Sequence, residues 1–168
     1  MKPWLHNYRV KHNTVIRLLL SVLGDFLMNS CCTQKKTAGH YPKSHCCPAN
    51  GKAYASVKRK TLLHHITQPW LKPVTEQGYY FCTDSDCDVV YFGQDNSIIH
   101  RDEVRTNVGQ KSDDKNAAIC YCFGVTKDQT RLDDSIKNFI TQQTKESLCA
   151  CETSNPSGRC CLKDFPKS

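Results

Sequence analysis

The cysteines of this 168-residue chain constrain its fold more than any other feature: there are twelve, and they fall in six close pairs. The pairs are Cys31 with Cys32, Cys46 with Cys47, Cys82 with Cys87, Cys120 with Cys122, Cys149 with Cys151, and Cys160 with Cys161. Disulfide frameworks and metal coordination both produce cysteine-rich chains. A disulfide needs separated cysteines with facing side chains, so neighbours in a C-C pair rarely join each other. C-x-C and C-x4-C spacings, in contrast, put two thiolates on one metal. The pattern therefore points to metal sites, and cysteines kept as thiolates imply a reducing, cytoplasmic setting.

Charge adds little against this. The formal net charge is +7, but Lys and Arg are dispersed, and no helix-turn-helix, RGG run or two-Cys-two-His finger is present. Nucleic acid is not an expected partner; a basic surface of this kind serves solubility and docking to an acidic partner. Residues 15–28 resemble the apolar core of a signal peptide. Arg17 and Asp25 interrupt them, so they are too short to span a bilayer, and stable membrane insertion is not expected. Residues 1–42 read as a poorly ordered leader, with Met28 an alternative start and Cys31-Cys32 either free thiols or a weak handle for soft metals.

The expected fold class is α+β: a small zinc-binding hairpin and knuckle module over residues 43–110, followed by a small helical [2Fe-2S] module over residues 111–168. In the first module, Pro48 and Asn50-Gly51 make a turn after His45-Cys46-Cys47. Apolar residues at helical spacing over 57–66 predict a helix that Pro69 ends. His64 and His65 in it read as packed or solvated. Residues 78–82 and 88–92 are rich in aromatic and β-branched residues and predict a hairpin whose turn is bracketed by Cys82 and Cys87. A zinc ribbon presents half its ligands this way, the rest coming from a distant knuckle, here Cys47 with Cys46 or His45. Thiolate pairs on a short turn suit zinc or copper(I) better than hard cations. The usual C-x2-C knuckle is absent, because Asn50 stands where its second cysteine would be. The fourth ligand is open among Cys46, His45, His100, an aspartate and a non-protein ligand. Residues 109–116 are expected to be a soluble connector.

In the second module Cys120-Tyr121-Cys122 precedes Thr126 and Gln129, spaced as a capping box, and a stripe of Leu132, Ile136, Phe139 and Ile140 predicts one amphipathic helix. Cys149, Cys151, Cys160 and Cys161 follow around an Asn155-Pro156-Ser157-Gly158 turn. Four thiolates from two such groups suit a [2Fe-2S] cluster, with structural zinc the simpler alternative. Cys120, Cys122, Cys151 and Cys160 are the expected set, since adjacent side chains diverge and one of Cys160-Cys161 points inward. Cys149 and Cys161 remain alternatives. No Gly-rich phosphate loop or serine nucleophile elbow is present, and the chain reads as an electron-transfer or chaperone-like metal protein rather than a classical enzyme.

These motifs, with Tyr80-Phe81-Cys82, Asp88-Val89-Val90-Tyr91-Phe92 and the closing Arg159-Cys160-Cys161, resemble the N-terminal part of the archaeal CopZ copper chaperone family over residues 43–165. The resemblance implies zinc on Cys47, Cys82 and Cys87. It implies a bacterioferritin-associated-ferredoxin-like domain with a [2Fe-2S] cluster on Cys120, Cys122, Cys151 and Cys160. It further implies a role in copper homeostasis, with one-electron reduction of copper(II) before delivery of copper(I). The expected partners are a copper carrier or copper-transporting ATPase and an electron donor. The family's heavy-metal-associated domain, with its M-x-C-x2-C loop, is absent from this sequence. Two other readings stand beside this one: a non-redox, metal-stabilised interaction module, and a thiol scavenger of copper or mercury.

Overall fold

Short antiparallel hairpins dominate the first half of the molecule. The computed structural model describes residues 41–166, so the expectations for the leader, Met28 and Cys31-Cys32 lie outside the described residues. Five strands form a meander in the order β1 (Ser44–Cys46), β2 (Ala53–Val57), β3 (Tyr79–Phe81), β4 (Val89–Gly93) and β5 (Ile98–His100), each antiparallel to the next. The β1–β2 turn closes through Gly51 N–H to the Cys47 carbonyl at 2.8 Å, with Gly51 at a φ of 71°. That left-handed conformation is the one the Asn-Gly pair favours.

Helix α1 (Arg59–His65) connects β2 to β3. Alternation along β3 sends Tyr79 and Phe81 to one face, where Leu62 and Ile66 pack, and Tyr80 and Cys82 to the other. On β4 the alternation is broken: Val90 and Tyr91 both join the helix-side core while Val89 and Phe92 join the Cys82 side. An irregularity in the β4–β5 register between Val89 and Tyr91 accounts for this. Both faces of β3 and β4 are buried, which is why these segments read as unbroken aromatic and β-branched runs.

The second half is a two-stranded hairpin, β6 (Ala118–Cys120) and β7 (Val125–Thr126), followed by α2 (Gln129–Leu132), α3 (Asp134–Lys145) and α4 (Cys151–Ser154). The predicted capping box forms: Gln129 N–H donates to Thr126 Oγ1 at 3.3 Å, and Thr126 N–H donates to Gln129 Oε1 at 2.9 Å. The single predicted helix does not. Asp133 is extended and caps a new helix by accepting the Ser135 N–H at 2.8 Å, so the chain breaks after Leu132. The break rotates Leu132 out of the apolar stripe and leaves it 78% exposed, whereas Ile140 is fully buried. No described helix is long and apolar enough to cross a membrane.

The two halves pack on each other through α1 and the segment 151–159. The Tyr91 hydroxyl donates to the Pro156 carbonyl at 2.8 Å, Thr61 Oγ1 donates to the Glu152 carbonyl at 2.7 Å, and Lys58 pairs with Glu152 at 2.9 Å. Gly158, with φ of 65°, lies against Thr61 so closely that a Cβ there would meet Thr61 Oγ1 at 2.9 Å.

Candidate metal centre

The two turns that carry cysteines in the sheet converge. Cys47 begins the β1–β2 turn, and Cys82 and Cys87 bracket the loop between β3 and β4. The sulfurs of these three residues lie within 4.8 Å of one another, and all three are buried. With Zn–S bonds of about 2.3 Å, one tetrahedral ion spans sulfurs at such distances. Among the described residues no other group of three or more Cys, His, Asp or Glu comes together as closely.

The environment supports thiolate charge at Cys82. Burial alone would raise the Cys82 thiol, but the Asp84 N–H, the Tyr54 hydroxyl and the Lys111 ammonium outweigh it and hold Cys82 below its ordinary value. Burial pushes the Cys87 thiol up to about 11. Lys111 Nζ sits 3.6 Å from Cys82 Sγ, 2.6 Å from the Asp84 carbonyl and 2.9 Å from the Cys87 carbonyl, and the residue is only 3% exposed. A divalent ion on three thiolates carries one excess negative charge, which this ammonium offsets at close range.

Lys111 and Asn50 are the functional residues that sequence reasoning missed. Lys111 lies in what was expected to be a solvated connector; instead residues 109–111 form a 3-10 turn folded inward, with Gly109 and Lys111 buried. In sequence Lys111 stands in a polar run with Asp113, Asp114 and Lys115, so nothing there singles it out. Asn50, read from the sequence as a turn residue standing where a cysteine would be, points its amide at the centre: Nδ2 lies 3.7 Å from Cys82 Sγ, 2.9 Å from the Tyr54 hydroxyl and 3.2 Å from Asp84 Oδ2.

The structure does not bring the other proposed ligands to this group. Cys46 is exposed, because β1 alternates and Cys47 takes the inward position. His45 packs, tilted, against Tyr80 and Phe92, and His100 Nδ1 is held by Asp88 Oδ2 at 2.8 Å.

Four of the six cysteines in the second half meet as two sulfur pairs. Cys122 Sγ lies 3.7 Å from Cys151 Sγ. Cys120 is hydrogen-bonded to Cys161, and that bond, with N–H groups of Phe123 and Cys122, pulls Cys120 down to about 6 against its burial. The same bond, together with burial, pushes Cys161 well above its ordinary value. Burial and the neighbouring Cys122 push Cys151 up to about 12. The inward member of the last pair is thus Cys161, 2% exposed, and not Cys160. Cys160 and Cys149 flank Thr144 instead, their sulfurs 4.0 and 3.3 Å from its Oγ1. Tyr121, between Cys120 and Cys122, accepts the Gly109 N–H at 2.7 Å and donates to the Asn107 carbonyl at 3.0 Å, which joins this group to the turn that carries Lys111. A Cβ at Gly109 would lie 2.0 Å from the Ala118 carbonyl oxygen, so only glycine permits that approach.

A small mixed α and β fold whose antiparallel hairpin turns converge three buried thiolates defines a thiolate-ligated metal module, and such a group binds zinc or another soft metal. Residues 44–105 match a family described as a zinc binding domain, of the CopZ type. Over 88 residues the chain is 34% identical to the copper chaperone CopZ of Archaeoglobus fulgidus, a match covering 49% of this chain and 42% of that protein. The match thus spans less than half the length of this curated relative. The X-ray structure of the Archaeoglobus fulgidus CopZ N-terminal domain superposes with a TM-score of 0.56 at 26% identity, over 73% of this chain and all of that domain.

Proposed function

We propose that this protein acts in copper homeostasis, with zinc held on Cys47, Cys82 and Cys87 and a [2Fe-2S] cluster held on Cys120, Cys122, Cys151 and Cys161. The copper role is supported by the likeness to a copper chaperone. The observation that carries the cluster assignment is the arrangement of four sulfurs in two pairs, Cys120 with Cys161 and Cys122 with Cys151. Two irons that each take two thiolates match two pairs, and backbone N–H groups already directed at Cys120 match the hydrogen bonding such clusters receive. Cys161 replaces Cys160 in the set expected from the sequence.

A [2Fe-2S] group supplies electrons one at a time, the chemistry that conversion of copper(II) to copper(I) requires. The chain's own residues prepare the site. Before loading, Cys151 and Cys161 retain protons that must leave, while Cys120 is readily deprotonated, so metal uptake releases protons and is favoured at higher pH. The buried packing of Ile119, Ile140 and Phe165 around Cys120 and Cys161 keeps water from that pair. The zinc site stabilises the sheet half, which is too small to rest on its apolar core alone. A copper carrier or copper-transporting ATPase would receive the ion, and a separate electron donor would restore the cluster.

Anaerobic purification of the full chain with metal, sulfide and visible absorption analysis tests this reading. Iron and sulfide alongside zinc, with visible bands that bleach on one-electron reduction, are expected; Cys161→Ser should remove the bands and Cys160→Ser should not. Colourless protein containing zinc alone would overturn the redox role.

A further inference from the structure

One short segment of the chain reaches both thiol groups. Within residues 107–111, Val108 is buried in the core between α1 and the sheet, and Gly109–Lys111 turn inward. At one end the Lys111 ammonium sits 3.6 Å from Cys82 Sγ. At the other, the Tyr121 hydroxyl accepts the Gly109 N–H at 2.7 Å and donates to the Asn107 carbonyl at 3.0 Å, so a single hydroxyl bridges the two ends of residues 107–109. Tyr121 stands between Cys120 and Cys122. Gly109 lies on the Ala118 carbonyl of β6, the strand that ends in Cys120. The Gln110 amide donates to Asp164 Oδ2 at 3.1 Å, a short way beyond Cys161.

We propose that residues 107–111 are a common support for the two thiol groups, and that Tyr121 is a positioning residue of the zinc site, acting through Lys111. The Lys111 ammonium is 3% exposed, and the Asp84 and Cys87 carbonyls it meets carry only partial charge. Such burial is costly unless a full negative charge lies close by, which zinc on three thiolates supplies. The ammonium must therefore be held in place, and its backbone has few holds. The Lys111 N–H bonds to the Val108 carbonyl at 2.9 Å, and the Lys111 carbonyl accepts from Arg101 at 2.7 Å. The Tyr121 hydroxyl fixes the residues just before. Without it the buried Gly109 N–H has no acceptor, and the turn shifts toward water to find one. That shift carries the ammonium off Cys82. In the other direction, an occupied zinc site holds the turn inward, and the turn holds the Tyr121 ring. The ring in turn fixes the backbone whose Cys122 and Phe123 N–H groups point at Cys120.

The effect on the four-thiol group rests on the reading that a cluster fills it; the effect on zinc does not, and the experiment keeps the two apart. Full-length, anaerobically purified protein carrying zinc is mixed with excess chromophoric chelator, and zinc transfer is timed. Tyr121→Phe should release zinc about tenfold faster than the wild type, and Lys111→Met at least as fast. The Lys111→Met/Tyr121→Phe double variant should be no faster than Lys111→Met alone, because both changes act on one contact. Tyr91→Phe, which removes a hydroxyl that bonds Pro156 rather than this turn, should release zinc as the wild type does. That comparison serves if the double variant does not fold. Multiplied effects in the double variant, or equal acceleration by Tyr91→Phe and Tyr121→Phe, would overturn the proposal by showing a general loosening of the fold. Wild-type transfer in Tyr121→Phe would overturn it as well. At the four-thiol group, Lys111→Met should shorten the lifetime of the visible absorption in air, and an unchanged lifetime would refute the common support. A colourless wild type would sink the cluster reading and leave zinc transfer to decide this one.

Discussion

Asn50 occupies the place where a C-x2-C knuckle would carry its second thiolate, and its amide already lies 3.7 Å from Cys82 Sγ. A thiolate there would complete four sulfurs around one ion, the closed arrangement of structural zinc sites. With Asn50 there, the described residues bring three thiols together, and zinc held on those three, as proposed above, leaves the fourth position to a ligand that can exchange. The Asn50→Cys substitution should therefore raise zinc affinity by at least about tenfold and slow zinc transfer to a chromophoric chelator. Unchanged transfer kinetics would mean that the knuckle does not border the ion. The amide also bonds Tyr54 and Asp84, and Lys52 holds Asp84 at 2.6 Å, so the residues around the three thiols are themselves fixed by polar contacts.

At the level of elements, the Tyr91 hydroxyl on β4 joins the sheet to the turn that carries Cys160 and Cys161. Its bond to the Pro156 carbonyl is fully enclosed, so Tyr91→Phe leaves a buried acceptor without its donor. The cost should be about 1–3 kcal/mol, seen as a lower midpoint in chemical denaturation with the sheet-side zinc retained at low denaturant. A midpoint within error of the wild type would show that the two halves do not depend on this contact. Strands β3 and β4 and helix α1 were legible in the sequence because each is a local run of apolar residues bounded by Pro, Gly or polar turns. The convergence of Cys47 with Cys82 and Cys87 was legible from turn spacing. Strand β2 was not, since Ala53-Tyr54-Ala55-Ser56 has weak strand character and owes its conformation to β1 and β3 on either side. The helix break at Asp133 was hidden because an aspartate on the polar side of a helix and one that caps a new helix look alike in sequence. That Cys161 and not Cys160 faces Cys120 is a matter of how two neighbours are turned after a long loop, and spacing carries no information about that.

For the molecule as a whole, the contact between its halves encloses a titratable group. His65, on the last turn of α1, is 3% exposed; Nδ1 meets Thr106 Oγ1 at 2.7 Å, and Nε2 has no hydrogen-bonding partner among the described residues. Burial, helped by the positive charges of Arg105 and His64, lowers its pKa from 6.5 to about 4. The unfolded chain then binds a proton that the folded one refuses at every pH between those values, so stability rises with pH across that window and falls as acid is added. Above pH 6.5 the full stability is present; below about pH 4 both states are protonated and the loss is complete. The loss should amount to roughly 2 kcal/mol once solvent screening is allowed for. Acid also releases thiolate-bound metal, which imposes its own pH dependence on any variant. A comparison of wild type with His65→Gln, each denatured with urea at a series of pH values from 7 to 4.5, removes that shared part. The wild type should lose more stability than the variant over this range, and most of the difference should develop below pH 6.5. Parallel curves would show that His65 takes its proton without opening the contact between the halves.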